Sequence, residues 1–283
     1  MSRISETFAR LRAQGRAGLV TFVTAGDPDA ERSARILETL DQAGVDVLEV
    51  GVPFSDPLAD GPVIQRSSER ALAGGTTLAS SLDLVSGLRS RISAAIVIFS
   101  YVNPILAMGL ETFVRRAADA GVDGVLMLDL PIEESDELRD ATAAVGIDPI
   151  FLLSPTTTET RIRRAAALGR GFLYGISRLG VTGERDTIAD GARELVHRIR
   201  RVTPMPVALG FGISRPEHVA EVGRWADAAV VGSGLVSTIA QAAAGSDLMG
   251  DVERYVRWLR GGIGTENHEI GHGKPKTDAT GSG

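Results

Sequence analysis

The chain has 283 residues, 43% of them hydrophobic and 23% charged, enough apolar side chain for a large core. A net charge of -6 argues against a nucleic-acid footprint, and the absence of cysteine excludes disulfides, thiolate nucleophiles and Cys-ligated zinc. The sequence starts Met1-Ser2-Arg3-Ile4-Ser5-Glu6, without the apolar stretch of a signal peptide, so a cytoplasmic enzyme is expected.

In chain order, residues 4–13 carry a helical pattern that is expected to plug the floor of whatever sheet follows. A short apolar run at 19–23 reads as the first strand. Asp27-Pro28 then supplies an N-cap candidate with proline at the first helical position. Ile36, Leu37, Leu40 and Ala43 have helical spacing. Further runs at 47–50, 95–99, 125–128, 150–153, 172–176, 207–209 and 228–231 are short, nearly continuous and rich in Val, Ile and Leu. Strands buried on both faces read this way. Two helical stretches, 62–73 and 80–91, fill the long interval between strands two and three. Ala43-Gly44-Val45-Asp46 recurs as Ala120-Gly121-Val122-Asp123, with Val145-Gly146-Ile147-Asp148 close to both. Each places a glycine just past a helix end.

Eight strands alternating with helices predict an α/β fold, a (β/α)8 TIM barrel with extra N-terminal and inserted helices, over residues 1–262. An open doubly wound sheet is the alternative; no Gly-x-Gly-x-x-Gly follows the first strand. The segment from Arg91 to Glu111 carries no charge between its ends and is long enough to cross a bilayer. Asn103-Pro104 in its middle favours a buried strand followed by a polar loop. Residues 263–283, rich in glycine and polar side chains, read as a disordered tail. That tail holds the chain's only lysines, Lys274 and Lys276, together with His268 and His272, a remote candidate for metal. His197 and His218 fall in outer helices, and Trp225 and Trp258 read as packing residues there.

Barrel chemistry sits at the C-terminal ends of the strands. Alternation along strand two puts Val47, Glu49 and Gly51 on one face, so Glu49 points into the mouth. Desolvation there would raise its pKa and suit acid–base work; a structural Glu paired with an arginine reads equally well. Asp56 and Asp60 lie in the loop above, as an orienting anion or as turn and cap formers. Glycines follow strand six (Gly180, Gly183), strand seven (Gly210, Gly212) and strand eight (Gly232, Gly234), with Ser233 beside the last pair. Backbone N–H groups there can cradle phosphate. Without a barrel lysine there is no Schiff-base candidate, and without a histidine cluster no ligand set for a metal-assisted aldolase. Proton transfer by carboxylates remains.

The run Leu48-Glu49-Val50-Gly51-Val52-Pro53-Phe54-Ser55-Asp56-Pro57-Leu58-Ala59-Asp60-Gly61-Pro62 resembles the signature of the tryptophan synthase alpha subunit family. Further matches are residues 22–28, Tyr101-Val102-Asn103-Pro104, Asp129-Leu130-Pro131, residues 177–183 and Gly210-Phe211-Gly212-Ile213. The resemblance implies a lyase that splits indole-3-glycerol phosphate into indole and glyceraldehyde 3-phosphate, with no cofactor of its own. It implies Glu49 as the acid–base residue and Asp60 as the carboxylate that bonds the indole N–H. Phe22, Tyr101 and Tyr174 would line the pocket; Gly183, Gly212, Gly232 and Ser233 would bind phosphate; Thr182 would sit on a mobile loop. Pro53, Asp56, Asn103 and Pro131 would touch a beta subunit in an alpha2beta2 heterotetramer. That partner carries pyridoxal phosphate and receives indole through a tunnel. A stand-alone indole lyase, a non-catalytic phosphate-binding regulatory subunit, and a phosphosugar isomerase or aldolase on the same barrel are the competing readings.

Overall fold

The computed structural model describes residues 1–176, 190–210 and 212–263. In chain order these form α1 (Arg3–Ala13), β1 (Gly18–Thr24), α2 (Ala30–Gln42), β2 (Val47–Gly51), α3 (Pro62–Ala73) and α4 (Leu78–Leu88). Then come β3 (Ala95–Ser100), α5 (Val102–Met108), α6 (Leu110–Asp119), β4 (Gly124–Met127), a 3-10 helix (Ile132–Glu134), α7 (Asp136–Ala144) and β5 (Asp148–Leu153). The last third holds α8 (Glu159–Leu168), β6 (Leu173–Ile176), α9 (Asp190–Arg200), β7 (Val207–Gly210), α10 (Pro216–Gly223), β8 (Ala228–Val231), α11 (Ser233–Ala242) and α12 (Leu248–Arg260). All eight strands pair in parallel in sequence order, and β1 pairs with β8 to close the barrel. The open-sheet alternative is thereby excluded.

Alternation divides each strand between two cores. Outward residues such as Leu19, Leu48, Val50, Ile96 and Ile98 pack with the helices. Inward residues Val20, Val47, Val97, Leu126, Ile150 and Phe172 fill the barrel together with Ile4, Phe8 and Leu11 of α1. The first helix therefore plugs the floor as its apolar spacing predicts. The repeated helix exits also behave as expected: Gly44, Gly121 and Gly146 take φ of 87°, 78° and 79°, a region a Cβ disfavours.

Three expectations need correction. The cap of α2 is Asp29, whose side chain accepts from the Arg32 N–H at 2.8 Å, not Asp27. Asp27 instead turns inward as a buried partner of Arg70. After β3 the chain forms helix α5 rather than a loop. Asn103 and Pro104 occupy its first turn, where a missing N–H costs no intrahelical bond. Trp258 is 49% exposed and rests on the Tyr255 ring at 5.8 Å, whereas Trp225 does pack against the core. Among the described residues no helix is long and apolar enough to cross a membrane. The expected tail beyond residue 263 lies outside the described residues.

Candidate active site

At the C-terminal mouth of the barrel lies a cavity of about 700 Å³. Glu49 lines it from β2, between Phe22 on β1 and Val97 on β3 in the strand register. Its side chain is fully buried, and neither carboxyl oxygen has a hydrogen-bond partner among the described residues. Among the described residues no arginine reaches it, which counts against the paired structural reading. Loss of hydration alone pushes its pKa from 4.5 up to about 8, which makes it a neutral acid at pH 7. Tyr174, on β6, lines the same cavity; burial, and secondarily the charge of Glu49, hold its phenol well above the usual range. Two glycines make room for these rings. A Cβ at Gly51 would lie 2.4 Å from the Phe22 ring, and one at Gly210 would lie 2.6 Å from the Tyr174 hydroxyl.

Asp60 reaches the cavity from the loop between β2 and α3. Its N–H closes a turn on the Pro57 carbonyl at 3.0 Å. The Tyr101 hydroxyl donates to Asp60 Oδ2 at 3.1 Å and accepts from the Ala59 N–H at 3.1 Å. Burial raises the Asp60 pKa, and the Tyr101 hydrogen bond opposes the rise. Tyr101, expected to line the pocket, thus sits behind Asp60 and stacks on Phe54 at 5.0 Å. Asp56 is exposed, outside the cavity, and takes a hydrogen bond from its neighbour Ser55. Asn103 is also exposed, Pro131 is exposed and lines the cavity, and Pro53 is buried within this chain.

The other end of the cavity is built from backbone. Gly212, Gly232 and Ser233 line it, and Ser233 opens α11 without a side-chain cap. The first N–H groups of a helix have no intrahelical acceptor and carry partial positive charge, which suits an anion. Gly212 has φ of 59°, the conformation that favours glycine. Gly234 has a packing reason instead: a Cβ there would meet the Tyr255 hydroxyl at 2.4 Å. Thr182 and Gly183 lie outside the described residues.

Several lining residues escaped the sequence reading. Phe99 and Leu152 continue the inward series of Val97 and Ile150, and Phe22 meets Phe99 edge-on at 5.2 Å. Counting by two from Val97 would have found Phe99. Ile64, Met127, Phe151 and Ile132 complete an apolar wall. Ser154, Thr157 and Arg161 bring polar groups to the rim, and Arg161 pairs with Glu133 at 2.8 Å. Nothing in the local pattern marks these three. Among the described residues no group of three potential ligands is placed to hold a metal. His197 and His218 sit on α9 and α10 and do not line the cavity, while His268 and His272 lie outside the described residues.

A buried, unpaired acid beside an apolar slot, a second carboxylate and a backbone anion cradle form a specific combination, and known proteins share its sequence. The family model described as tryptophan synthase alpha chain matches residues 8–257. The tryptophan synthase alpha chain of Citrifermentans bemidjiense is 49% identical over 263 residues, spanning 93% of this chain and 98% of that one. The corresponding protein of Geobacter sulfurreducens is 48% identical, spanning 93% and 100%. Among solved structures, tryptophan synthase subunit alpha from Legionella pneumophila superimposes with a TM-score of 0.86 at 33% identity, covering 93% of this chain and 98% of that one. A Mycobacterium tuberculosis tryptophan synthase structure gives 0.85 at 34% identity, covering 93% and 98%. A match this long in both sequence and barrel makes this chain a member of the tryptophan synthase alpha chain family.

Proposed function

We propose that this chain cleaves indole-3-glycerol phosphate to indole and glyceraldehyde 3-phosphate, with Glu49 and Asp60 as the catalytic residues. The observation that carries the assignment is the neutral, unpaired Glu49 acid facing an apolar cavity with an anion cradle at one end. Glu49 donates a proton to indole C3, and the ring nitrogen takes the positive charge beside the Asp60 carboxylate. The resulting Glu49 carboxylate accepts the proton of the side-chain hydroxyl. The C–C bond then breaks, its electron pair returns to the ring, and an aldehyde leaves. The indole ring is the electron sink, so no lysine and no cofactor of this chain is required. Phe22 and Phe99 hold the ring; Gly212, Gly232 and Ser233, with Gly183 and Thr182 from the loop after β6, hold the phosphate.

The partner is a beta subunit carrying pyridoxal phosphate, in an alpha2beta2 assembly of the cytoplasm that passes indole on for tryptophan synthesis. Exposed Leu58 and Leu106, 93% and 62% accessible, neighbour Asp56 and Asn103 in sequence and support a docking face there. The test is indole release by the purified chain, alone and with a beta subunit. Slow release that rises sharply with the partner is expected. Fast release alone would favour a stand-alone lyase, and none in either case would overturn the activity. Glu49→Gln should lower kcat by roughly 10²–10⁴-fold while binding persists; near-wild-type turnover would remove Glu49 from its role.

A further inference from the structure

Asp60 sits on a loop that is tied to the barrel through a side chain with no assigned role. Gln65, half-buried in the second turn of α3, donates its side-chain N–H to the Asp60 carbonyl at 2.9 Å and to the Pro57 carbonyl at 3.4 Å. Those two carbonyls bracket the turn that the Asp60 N–H closes. A carbonyl only accepts, so the amide nitrogen, not its oxygen, must face both. Helix α3 is itself pinned to the barrel. Ser67 and Thr24 of β1 share a hydrogen bond of 2.6 Å, and Arg70 holds Asp27 through two contacts of 2.7 and 2.9 Å. Helix α3, pinned to β1 through Ser67, thus carries Gln65 to the backbone of Asp60, while Tyr101 holds the carboxylate end.

We propose that Gln65 is a positioning residue for Asp60, fixing where the carboxylate meets the ring nitrogen; this rests on the assignment of Asp60 proposed above. A carboxylate displaced by a fraction of an ångström stabilises the developing positive charge less well, so the loss falls on the chemical step rather than on binding. The test uses the full chain with a beta subunit and reads steady-state indole release. Gln65→Met keeps the length and removes the donor; Gln65→Glu sets a carboxylate against two carbonyls. Gln65→Met should lower kcat roughly tenfold and Gln65→Glu more, with KM changed by less than about twofold. Both should melt within about 2 °C of wild type, because the side chain is only half-buried.

Asp60→Asn supplies the decisive background. If Gln65 acts through Asp60, adding Gln65→Met to Asp60→Asn removes no further turnover. Wild-type kcat in Gln65→Met, the same fold-loss in both backgrounds, or a melting temperature lowered by more than about 5 °C would each overturn the proposal. Normal turnover by Asp60→Asn alone would also overturn it, by removing Asp60 from the chemistry. That failure is distinguishable from an impaired Asp60→Asn beside an unimpaired Gln65→Met, which sinks the role of Gln65 only.

Discussion

Glu49 is held as a neutral acid because burial removes water and no neighbour among the described residues replaces it. This has consequences for both rate and stability. Proton donation needs the neutral form, so kcat should fall as pH rises through about 8. A pH–rate profile of indole release without a falling limb in that region would count against Glu49 as the donor. For stability, the ordinary carboxyl value of 4.5 belongs to the unfolded chain and about 8 to the folded one. Between them the folded protein keeps a proton that the unfolded chain has released. The contribution of Glu49 to stability is therefore complete below 4.5, falls by up to about 1.4 kcal/mol per pH unit across that window, and is lost above 8. Glu49→Gln removes this slope. The variant should melt above wild type near pH 8.5 and lose that advantage near pH 5, a stability gained where activity is lost. Strand alternation made the placement of Glu49 legible in the sequence, but not the lack of an arginine partner among the described residues, which depends on every strand around the barrel. Nor does the sequence position of Tyr101 show that its hydroxyl holds the Asp60 carboxylate at 3.1 Å.

At the scale of elements, three Asp–Arg clasps recur at the end of the barrel opposite the cavity. Asp46, just before β2, accepts from the Leu19 N–H of β1 at 2.9 Å and pairs with Arg16 at 2.9 Å. Asp123, just before β4, accepts from the Ile96 N–H of β3 at 2.8 Å and pairs with Arg89 at 3.2 Å. Asp227, before β8, accepts from the Val207 N–H of β7 at 2.8 Å and pairs with Arg200 at 3.0 Å. Each clasp joins the start of one strand to the start of the next. The repeated Ala-Gly-Val-Asp exits were visible in the sequence, yet the clasp was not, since each arginine lies about thirty residues upstream of its aspartate. The related Asp148 departs from the scheme: it begins β5 and takes a hydrogen bond from Ser2, ahead of α1. In the Asp123–Arg89 pair, burial pulls both groups toward neutrality, raising the acid and lowering the base. The attraction thus does not outweigh desolvation, and the clasp matters because neither charge is left alone. Asp123→Ala would leave Arg89 without this counter-ion, its Nη2 still held by the Ile92 and Ala94 carbonyls but its Nε already without a partner, and would remove the side-chain acceptor of the Ile96 N–H. A loss of about 3 kcal/mol in urea unfolding is expected. Glu159→Ala, which breaks the exposed and solvent-screened pair with Arg163, should leave the urea midpoint almost unchanged. Equal losses would show that burial does not set the value of these pairs.

Across the whole molecule, the barrel separates an end that carries chemistry from an end that carries stability. The strand count, their order and the helix plug were legible because each follows from local periodicity. The wall of the cavity was only partly legible, because loops such as Leu130–Ile132 and the first turns of α8 meet there through closure of the barrel. One structural feature joins the two ends. Phe8 of the floor helix contacts Phe172 at 5.5 Å between ring centroids, and Phe172 lies 6.5 Å from Tyr174 at the cavity. Phe8 is 4% exposed and Phe172 fully buried. Removing the lowest ring opens a void beneath Phe172 but leaves Phe172 beneath Tyr174. Phe8→Ala should therefore cost about 3–5 kcal/mol of stability, by lost transfer energy and the cavity left behind. Its kcat, measured well below its own melting temperature, should stay within about twofold of wild type, because close-packed interiors relax little beyond the first neighbours of a void. Phe172→Ala removes the middle ring and should lower both stability and turnover, since Tyr174 then loses its support. A Phe8→Ala protein that stays folded yet turns over about a hundredfold more slowly would mean that strain passes up the aromatic column. The floor would then belong to the active site as much as to the core.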